Sequence, residues 1–167
     1  MILVYTGDGK GKTSASVGQA VRALGQGMRV AFFQYMKRDG LAGEQKLLRD
    51  LLGEDFKAGG LGFLRGPEKF PEHREAAARL TKRVVERIPG LDLVVLDEAL
   101  YALQAAVLTR EELEGIIALC ESSGTHLVLS GRNAPDWLLE TAHLVTEMRE
   151  VKHPYAEGIP AARGIEF

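Results

Sequence analysis

Glycines, a lysine and a hydroxyl in the run Thr6-Gly-Asp-Gly-Lys-Gly-Lys-Thr-Ser14 supply what is needed to grip a polyphosphate. Glycines let a backbone curl into a cradle of inward-pointing N–H groups, Lys12 can set its ammonium between phosphates, and Thr13 can put its hydroxyl on a magnesium ion. A helix starting at the end of the run adds its positive N-terminal dipole. Gly7, Asp8, Gly9, Lys10, Gly11, Lys12, Thr13 and Ser14 are therefore the candidate nucleotide ligands. The strict phosphate-loop pattern G-x-x-x-x-G-K-[ST] asks for glycine where this chain has Thr6, so the run is a variant of it.

A second chemical group ends the apolar run Leu91-Asp-Leu-Val-Val-Leu-Asp97-Glu98. Buried parallel strands read this way, and they deliver their last residues to the carboxyl edge of a sheet, where open α/β folds bind ligands. Asp97 can hold Mg²⁺, or Mn²⁺ in its place, opposite Thr13, directly or through water. Glu98 can be a second metal ligand or can orient a reacting group. The metal candidates are thus Thr13, Asp97 and Glu98, and the catalytic candidates Lys12, Thr13 and Glu98. The alternative for both acids is to cap the helix that opens at about Ala99.

These groups need a framework that sets a loop near Lys10 beside an acid at Asp97. Alternating strand-like and helix-like segments predict one: an α/β chain, a mostly parallel sheet with helices on both faces. Met1 to Tyr5 reads as the strand ahead of the loop and Ala15 to Leu24 as the helix behind it. Met28 to Met36 is a second strand, and Gly43 to Leu52 a helix with Leu47, Leu48, Leu51 and Leu52 on one face. Phe56 to Leu64, interrupted by glycine, is a strand end plus a loop. Pro71 to Ile88 is helical, with Ala76, Ala77, Leu80, Val84 and Ile88 inward and its charges on a solvated face. Thr109 and Glu112 have capping-box spacing, ahead of inward Leu113, Ile116, Ile117 and Cys120 and a stop at Gly124. Thr125 to Ser130 is a strand, and His143 to Met148 the last strand of the main sheet.

The 167 residues suit one domain, 1–167, large enough for a substantial core. Lys and Arg number 21 against 23 Asp and Glu, a net charge of -2, so no global field draws the chain to nucleic acid or to an acidic membrane, and neither is expected as a partner. Cys120 is the single cysteine, and no Cys/His cluster has zinc spacing; a reducing, cytoplasmic setting fits, with Cys120 as core packing. No signal-type start and no run of about 20 apolar residues is present, which predicts a soluble protein that is not exported.

Several separate stretches resemble one family. The loop Thr6 to Thr13 has the variant form, without the leading glycine, of the phosphate-loop ATP:corrinoid adenosyltransferases. Val94-Val-Leu-Asp-Glu98 resembles their acidic strand. Ser130-Gly-Arg-Asn-Ala-Pro135, Leu144-Val-Thr-Glu-Met148, Val151-Lys-His-Pro-Tyr155 and Ala162-Arg-Gly-Ile-Glu-Phe167 look like their carboxyl-terminal signature, in the same order. The likeness runs from Met1 to Phe167. Two departures stand out. Family members often carry an extension before the first strand that helps cover the active site, whereas here the strand begins at Met1. They also commonly place two aromatics after the third strand, whereas Gly62-Phe-Leu-Arg65 keeps Phe63 and has Arg65 where the second is sought.

The resemblance implies a single-domain P-loop NTPase fold, a RecA-like three-layer sandwich. It implies a transferase that moves the 5′-deoxyadenosyl group of ATP to the cobalt(I) of cob(I)alamin or cob(I)yrinic acid a,c-diamide, in cobalamin (vitamin B12) biosynthesis or salvage. Triphosphate leaves, held by the loop amides, Lys12, Thr13 and Mg²⁺, with Lys10 and Arg132 as further cations; for Arg132 a surface ion pair is the alternative. A separate reductase supplies electrons, and the enzyme is a homodimer. Cobalt(I) is a strong nucleophile, so no general base is expected. Phe63 and Arg65 are the candidate corrinoid contacts, with ordinary core packing as the alternative for Phe63. His153 reads as a turn residue rather than a ligand, His73, His126 and His143 carry no assigned chemistry, and Lys37 and Glu44, which border the loop after the second strand and could approach substrate, read first as solvated charges. The rival readings are a P-loop nucleoside kinase or ATPase, and a non-catalytic ATP-binding regulator.

Overall fold

The structure is a computed structural model that describes residues 1–166; Phe167, the end of the tail signature, lies outside the described residues. The chain runs β1 (Ile2–Thr6), α1 (Lys12–Leu24), β2 (Val30–Gln34), α2 (Gly43–Leu52), β3 (Phe56–Ala58), α3 (Phe70–Arg87), β4 (Leu93–Asp97), α4 (Ala99–Gln104), α5 (Arg110–Ser123), β5 (His126–Ser130), α6 (Asp136–Thr141) and β6 (Leu144–Glu147). All strand pairings are parallel, in the order β3-β2-β4-β5-β1-β6.

Period-two alternation in the central strands builds the layers. Ala31, Phe33, Val94 and Leu96 face one way, into a core closed by Leu80 and Val84 of α3, Leu100 of α4 and Leu113 and Ile116 of α5. Val30, Phe32, Leu93 and Val95 face the other way, beneath Ala20 and Ala23 of α1 and Leu48 of α2. Sheet and helices thus form the expected three-layer sandwich. The capping box of α5 is present: Thr109 Oγ1 accepts from the Glu112 N–H at 3.2 Å, and Glu112 accepts from the Thr109 N–H at 2.9 Å. Gly124, at φ 68°, ends that helix, and Cys120 is buried beneath it.

Two local expectations are corrected. Helix α1 begins at Lys12 rather than Ala15, because Gly11 at φ 117° turns the loop straight into the first turn, placing Lys12 and Thr13 on it. Of the four leucines of α2 only Leu48 is fully buried, while Leu47 and Leu51 are about half exposed. That helix covers the β2–β3 margin of the sheet, where a single line of side chains has a strand beneath it.

Parallel pairing brings distant residues to one edge. Gln34 lies opposite Asp97 in the β2–β4 register, Leu96 opposite Leu129 between β4 and β5, and Tyr5 opposite Ser130 between β1 and β5. Thr6, Ser130, Asp97 and Gln34 therefore all sit at the carboxyl ends of their strands, beside the glycine loop.

Candidate active site

The loop glycines answer to close packing as well as to ligand approach. Gly7 has φ 97°, and a Cβ there would lie 2.5 Å from the Met148 carbonyl oxygen; at Gly9 it would lie 2.7 Å from the same atom. The Gly9 N–H donates to that carbonyl at 2.7 Å, so this amide, expected to point into the cradle, instead ties the loop to the chain beyond β6. Lys12 arches back over the loop and donates to the Gly7 and Gly9 carbonyls at 2.6 and 2.7 Å. Burial, and then the nearby Arg132 charge, lower its pKa.

Asp97 is 0% exposed. Its Oδ1 accepts from Ser130 Oγ at 2.6 Å and from Thr13 Oγ1 at 3.0 Å, and its Oδ2 from Gln34 Nε2 at 3.0 Å. Gln34 is in turn held by Gln45, whose Nε2 donates to Gln34 Oε1 at 2.8 Å. Glu98 opens α4 at φ 58° with no side-chain cap hydrogen bond, and lines the cleft. The helix-cap alternative therefore fails for Glu98, and Asp97 turns to the side chains of β2, β5 and α1. Burial, reinforced by the Asp97 charge, pushes Glu98 up to about 7.

Lys37 and Glu44 are not solvated charges. Their side chains are 22% and 21% exposed and they pair at 2.8 Å. Lys37 Nζ also lies 3.1 Å from Thr13 Oγ1 and 3.3 Å from Asp97 Oδ2, while Glu44 accepts from Gln34 Nε2 at 3.1 Å. Burial works against the Lys37 ammonium, but Asp97 and Glu44 outweigh it and raise its pKa. Burial likewise opposes Glu44 ionisation, and Lys37 reverses the balance, leaving its pKa lowered.

Around this centre lies a cleft of about 840 Å³, within the range of small-molecule sites. Its floor is the loop from Asp8 to Ser14; Lys37, Glu44, Glu98 and Arg132 also line it. Phe63, 71% exposed, lines the same cleft, so core packing does not describe it. Its ring meets Tyr101 of α4 edge to face, centroids 6.0 Å apart. Arg65 is exposed and does not line the cleft. Arg132 donates to the Asp8 carbonyl at 3.2 Å, with its Nε 3.9 Å from the Asp8 carboxylate, so it combines the cleft position with a loose ion pair. Lys10 pairs with Glu166 at 2.8 Å, which brings the tail residues Gly164 to Glu166 to the rim. His153 accepts from the Tyr155 N–H at 3.2 Å in a turn and also lines the cleft.

The residues present fit a hard divalent cation in part. Among the described residues no group of three His, Cys, Asp or Glu side chains can hold a metal. Thr13 and Glu98 nevertheless offer oxygens to the cleft, with buried Asp97 behind Thr13; Mg²⁺ accepts such a set when waters and phosphate oxygens complete it. Gln34, Ser130 and Tyr101 were not singled out from sequence. The signal was visible for two of them, Gln34 and Ser130, each a polar residue closing an apolar strand.

A glycine loop between a parallel strand and a helix N-terminus, with a buried acid from a nearby strand against its threonine, defines a P-loop nucleotide-binding α/β protein. The sequence matches the family described as ATP:corrinoid adenosyltransferase BtuR/CobO/CobP over residues 1–167, and the chain belongs to that family. It is a transferase enzyme, acting in adenosyl transfer to corrinoids. A corrinoid adenosyltransferase of Pseudomonas aeruginosa is 35% identical over 173 residues, which span 100% of this chain and 83% of the relative. A corrinoid adenosyltransferase of Escherichia coli K12 is 35% identical over 171 residues, spanning 100% of this chain and 85% of the relative. Among solved structures, AMPPCP-bound DnaA from Aquifex aeolicus superposes with a TM-score of 0.44 at 16% identity, over 88% of this chain and 39% of that one. Among the described residues no helix is long and apolar enough to cross a membrane.

Proposed function

We propose that the protein transfers the 5′-deoxyadenosyl group of ATP to the cobalt(I) of a corrinoid and releases inorganic triphosphate. The observation that carries this reading is the pairing, across one cleft, of a cationic floor made by Lys12, Lys37 and Arg132 with an aromatic wall made by Phe63 and Tyr101. A polyphosphate suits the first and a large, largely apolar macrocycle the second.

In the step itself, the cobalt(I) electron pair forms a bond to C5′, the C5′–O5′ bond breaks, and its electron pair stays on the departing triphosphate. No proton has to be removed. Charge grows on O5′, and fixed cations positioned there stabilise the transition state more than the ground state. Lys12, the remaining loop amides and the α1 N-terminus hold the triphosphate in one pose. Bound Mg²⁺ or Mn²⁺ would neutralise phosphate charge, with Thr13 and Glu98 as its protein oxygens and Asp97 acting through water. Phe63 and Tyr101 orient the corrinoid and exclude water from the reduced metal.

The acceptor is cobalamin or its a,c-diamide precursor, kept reduced by a separate electron-donating reductase, and the enzyme works as a cytoplasmic homodimer in cobalamin synthesis or salvage. Incubation with Mg·ATP, with and without chemically reduced cobalamin, tests the reading. Triphosphate release coupled to a cobalt–carbon bond is expected. Phosphate or ADP release independent of corrinoid would overturn it in favour of a kinase or ATPase; tight ATP binding with no product at all would favour a regulator.

A further inference from the structure

Lys37 sits where a divalent cation would be sought. Its Nζ has three oxygens close by: Glu44 Oε1 at 2.8 Å, Thr13 Oγ1 at 3.1 Å and Asp97 Oδ2 at 3.3 Å. A hydroxyl and two carboxylates are also the oxygen set a hard divalent ion takes. Glu98 lines the same part of the cleft.

We infer that Lys37 is a resident cation of the Thr13–Asp97 pair, holding the place of the divalent ion before nucleotide binds and competing with free metal for it. This rests on the proposed metal site at Thr13. Asp97 is wholly buried, and its other partners, Ser130, Gln34 and Thr13, are neutral. A buried carboxylate without a counter-charge is strongly disfavoured, so the nucleotide-free protein requires a cation at this point. Lys37 supplies it from the loop after β2, on a long flexible side chain, while Asp97 stays fixed by Ser130 and Gln34. A metal-loaded polyphosphate brings its own cation and the anionic oxygens that Lys37 can then follow. Free metal brings only the first. Lys37 thus couples metal entry to nucleotide entry and, once displaced, becomes a further cation on the phosphates.

The test is Mn²⁺ binding to the intact chain without nucleotide or corrinoid, followed by electron paramagnetic resonance of free Mn²⁺. Lys37→Met is expected to bind Mn²⁺ at least tenfold more tightly than wild type, about 1.4 kcal/mol; Lys37→Arg, which keeps the charge, is expected to stay weak. A purely structural lysine would lower thermal stability on substitution without tightening Mn²⁺ binding, so equal or weaker binding by Lys37→Met overturns the inference. If that variant does not fold, a wild-type crystal with Mn²⁺ and an unreactive ATP analogue decides. Lys37 is expected to have left Thr13 for the phosphates; an ammonium still hydrogen-bonded to Thr13 beside the bound metal overturns the inference alone. Metal bound away from Thr13 removes the metal assignment as well.

Discussion

Ser130 Oγ donates to Asp97 Oδ1 at 2.6 Å and at the same time accepts from the Glu98 N–H at 3.1 Å, so one hydroxyl at the end of β5 pins the last residue of β4 and the first of the turn into α4. Ser130→Ala leaves a buried carboxylate short of one donor and a backbone N–H without its acceptor. The expected loss is about 1–3 kcal/mol. Asp97→Ala is expected to cost more than Ser130→Ala, because Thr13, Gln34 and Ser130 lose their shared acceptor and Lys37 keeps Glu44 as its one carboxylate partner. Urea unfolding of both variants checks the order; an Asp97→Ala midpoint equal to wild type would show that the Lys37–Asp97 pair contributes nothing to the fold.

Lys12→Ala is expected to cut single-turnover adenosyl transfer by at least about 100-fold at saturating ATP, the scale on which a fixed transition-state donor acts. The ammonium also bridges the Gly7 and Gly9 carbonyls, so its loss should loosen the loop and raise the ATP dissociation constant too. Unchanged turnover would mean that ATP reacts somewhere other than the loop.

The chemistry that one stretch of chain carries by itself was legible in the sequence. The loop between β1 and α1, the acids Asp97 and Glu98 at the end of β4 and the capping box at Thr109 depend on local spacing and stand where that spacing puts them, although α1 starts at Lys12 and the Gly9 amide turns to Met148. Groups whose surroundings come from strand order were not legible. Lys37 and Glu44 look like ordinary surface charges until β2 is set beside β4, which puts Lys37 against Asp97, with Glu44 bound to Lys37 and Gln34. Tyr101 reads as one more residue of a short helix until the loop carrying Phe63 is laid against it. The approach of Met148 to the phosphate loop is equally non-local, since it follows from β6 adding outside β1.

That approach makes the glycines unequal. Gly7→Ala combines φ 97° with a Cβ 2.5 Å from the Met148 oxygen, and is expected to cost about 1–3 kcal/mol. Gly18→Ala, inside α1 with nothing within 4 Å of the new methyl, is expected to gain about 0.5–1 kcal/mol from helix propensity. Thermal midpoints that move in the same direction for both variants would contradict this placement of the loop.

Cys120 should be chemically silent in the folded protein. Burial pushes its thiol up to about 12, so at pH 8 it stays protonated and shielded from disulfide reagents. Because the native pKa is raised, the unfolded thiol ionises first, at about pH 8.5, and the contribution to stability falls as pH rises beyond that value. Labelling with an aromatic disulfide at pH 8 should be slow in buffer and complete in denaturant; rapid labelling of native protein would place Cys120 outside the core.

The aromatic wall should matter most where the cobalt has yet to be reduced. Phe63 is exposed and packs edge to face with Tyr101, a contact that steadies an apolar ring at the cleft. On the proposed function, a ring pressed against the lower face of the corrinoid would keep ligands off cobalt(II) and so make its reduction easier. Phe63→Ala is therefore expected to slow adenosylation strongly when substrate is supplied as cobalt(II) with a reductase, and much less when it is supplied as cobalt(I). Tyr101→Ala should reproduce that pattern more weakly, since it only frees Phe63 to turn, whereas Tyr101→Phe keeps the ring contact and should behave as wild type. Equal losses from both cobalt states would remove the proposed role of the wall in reduction, leaving Phe63 as a binding surface only.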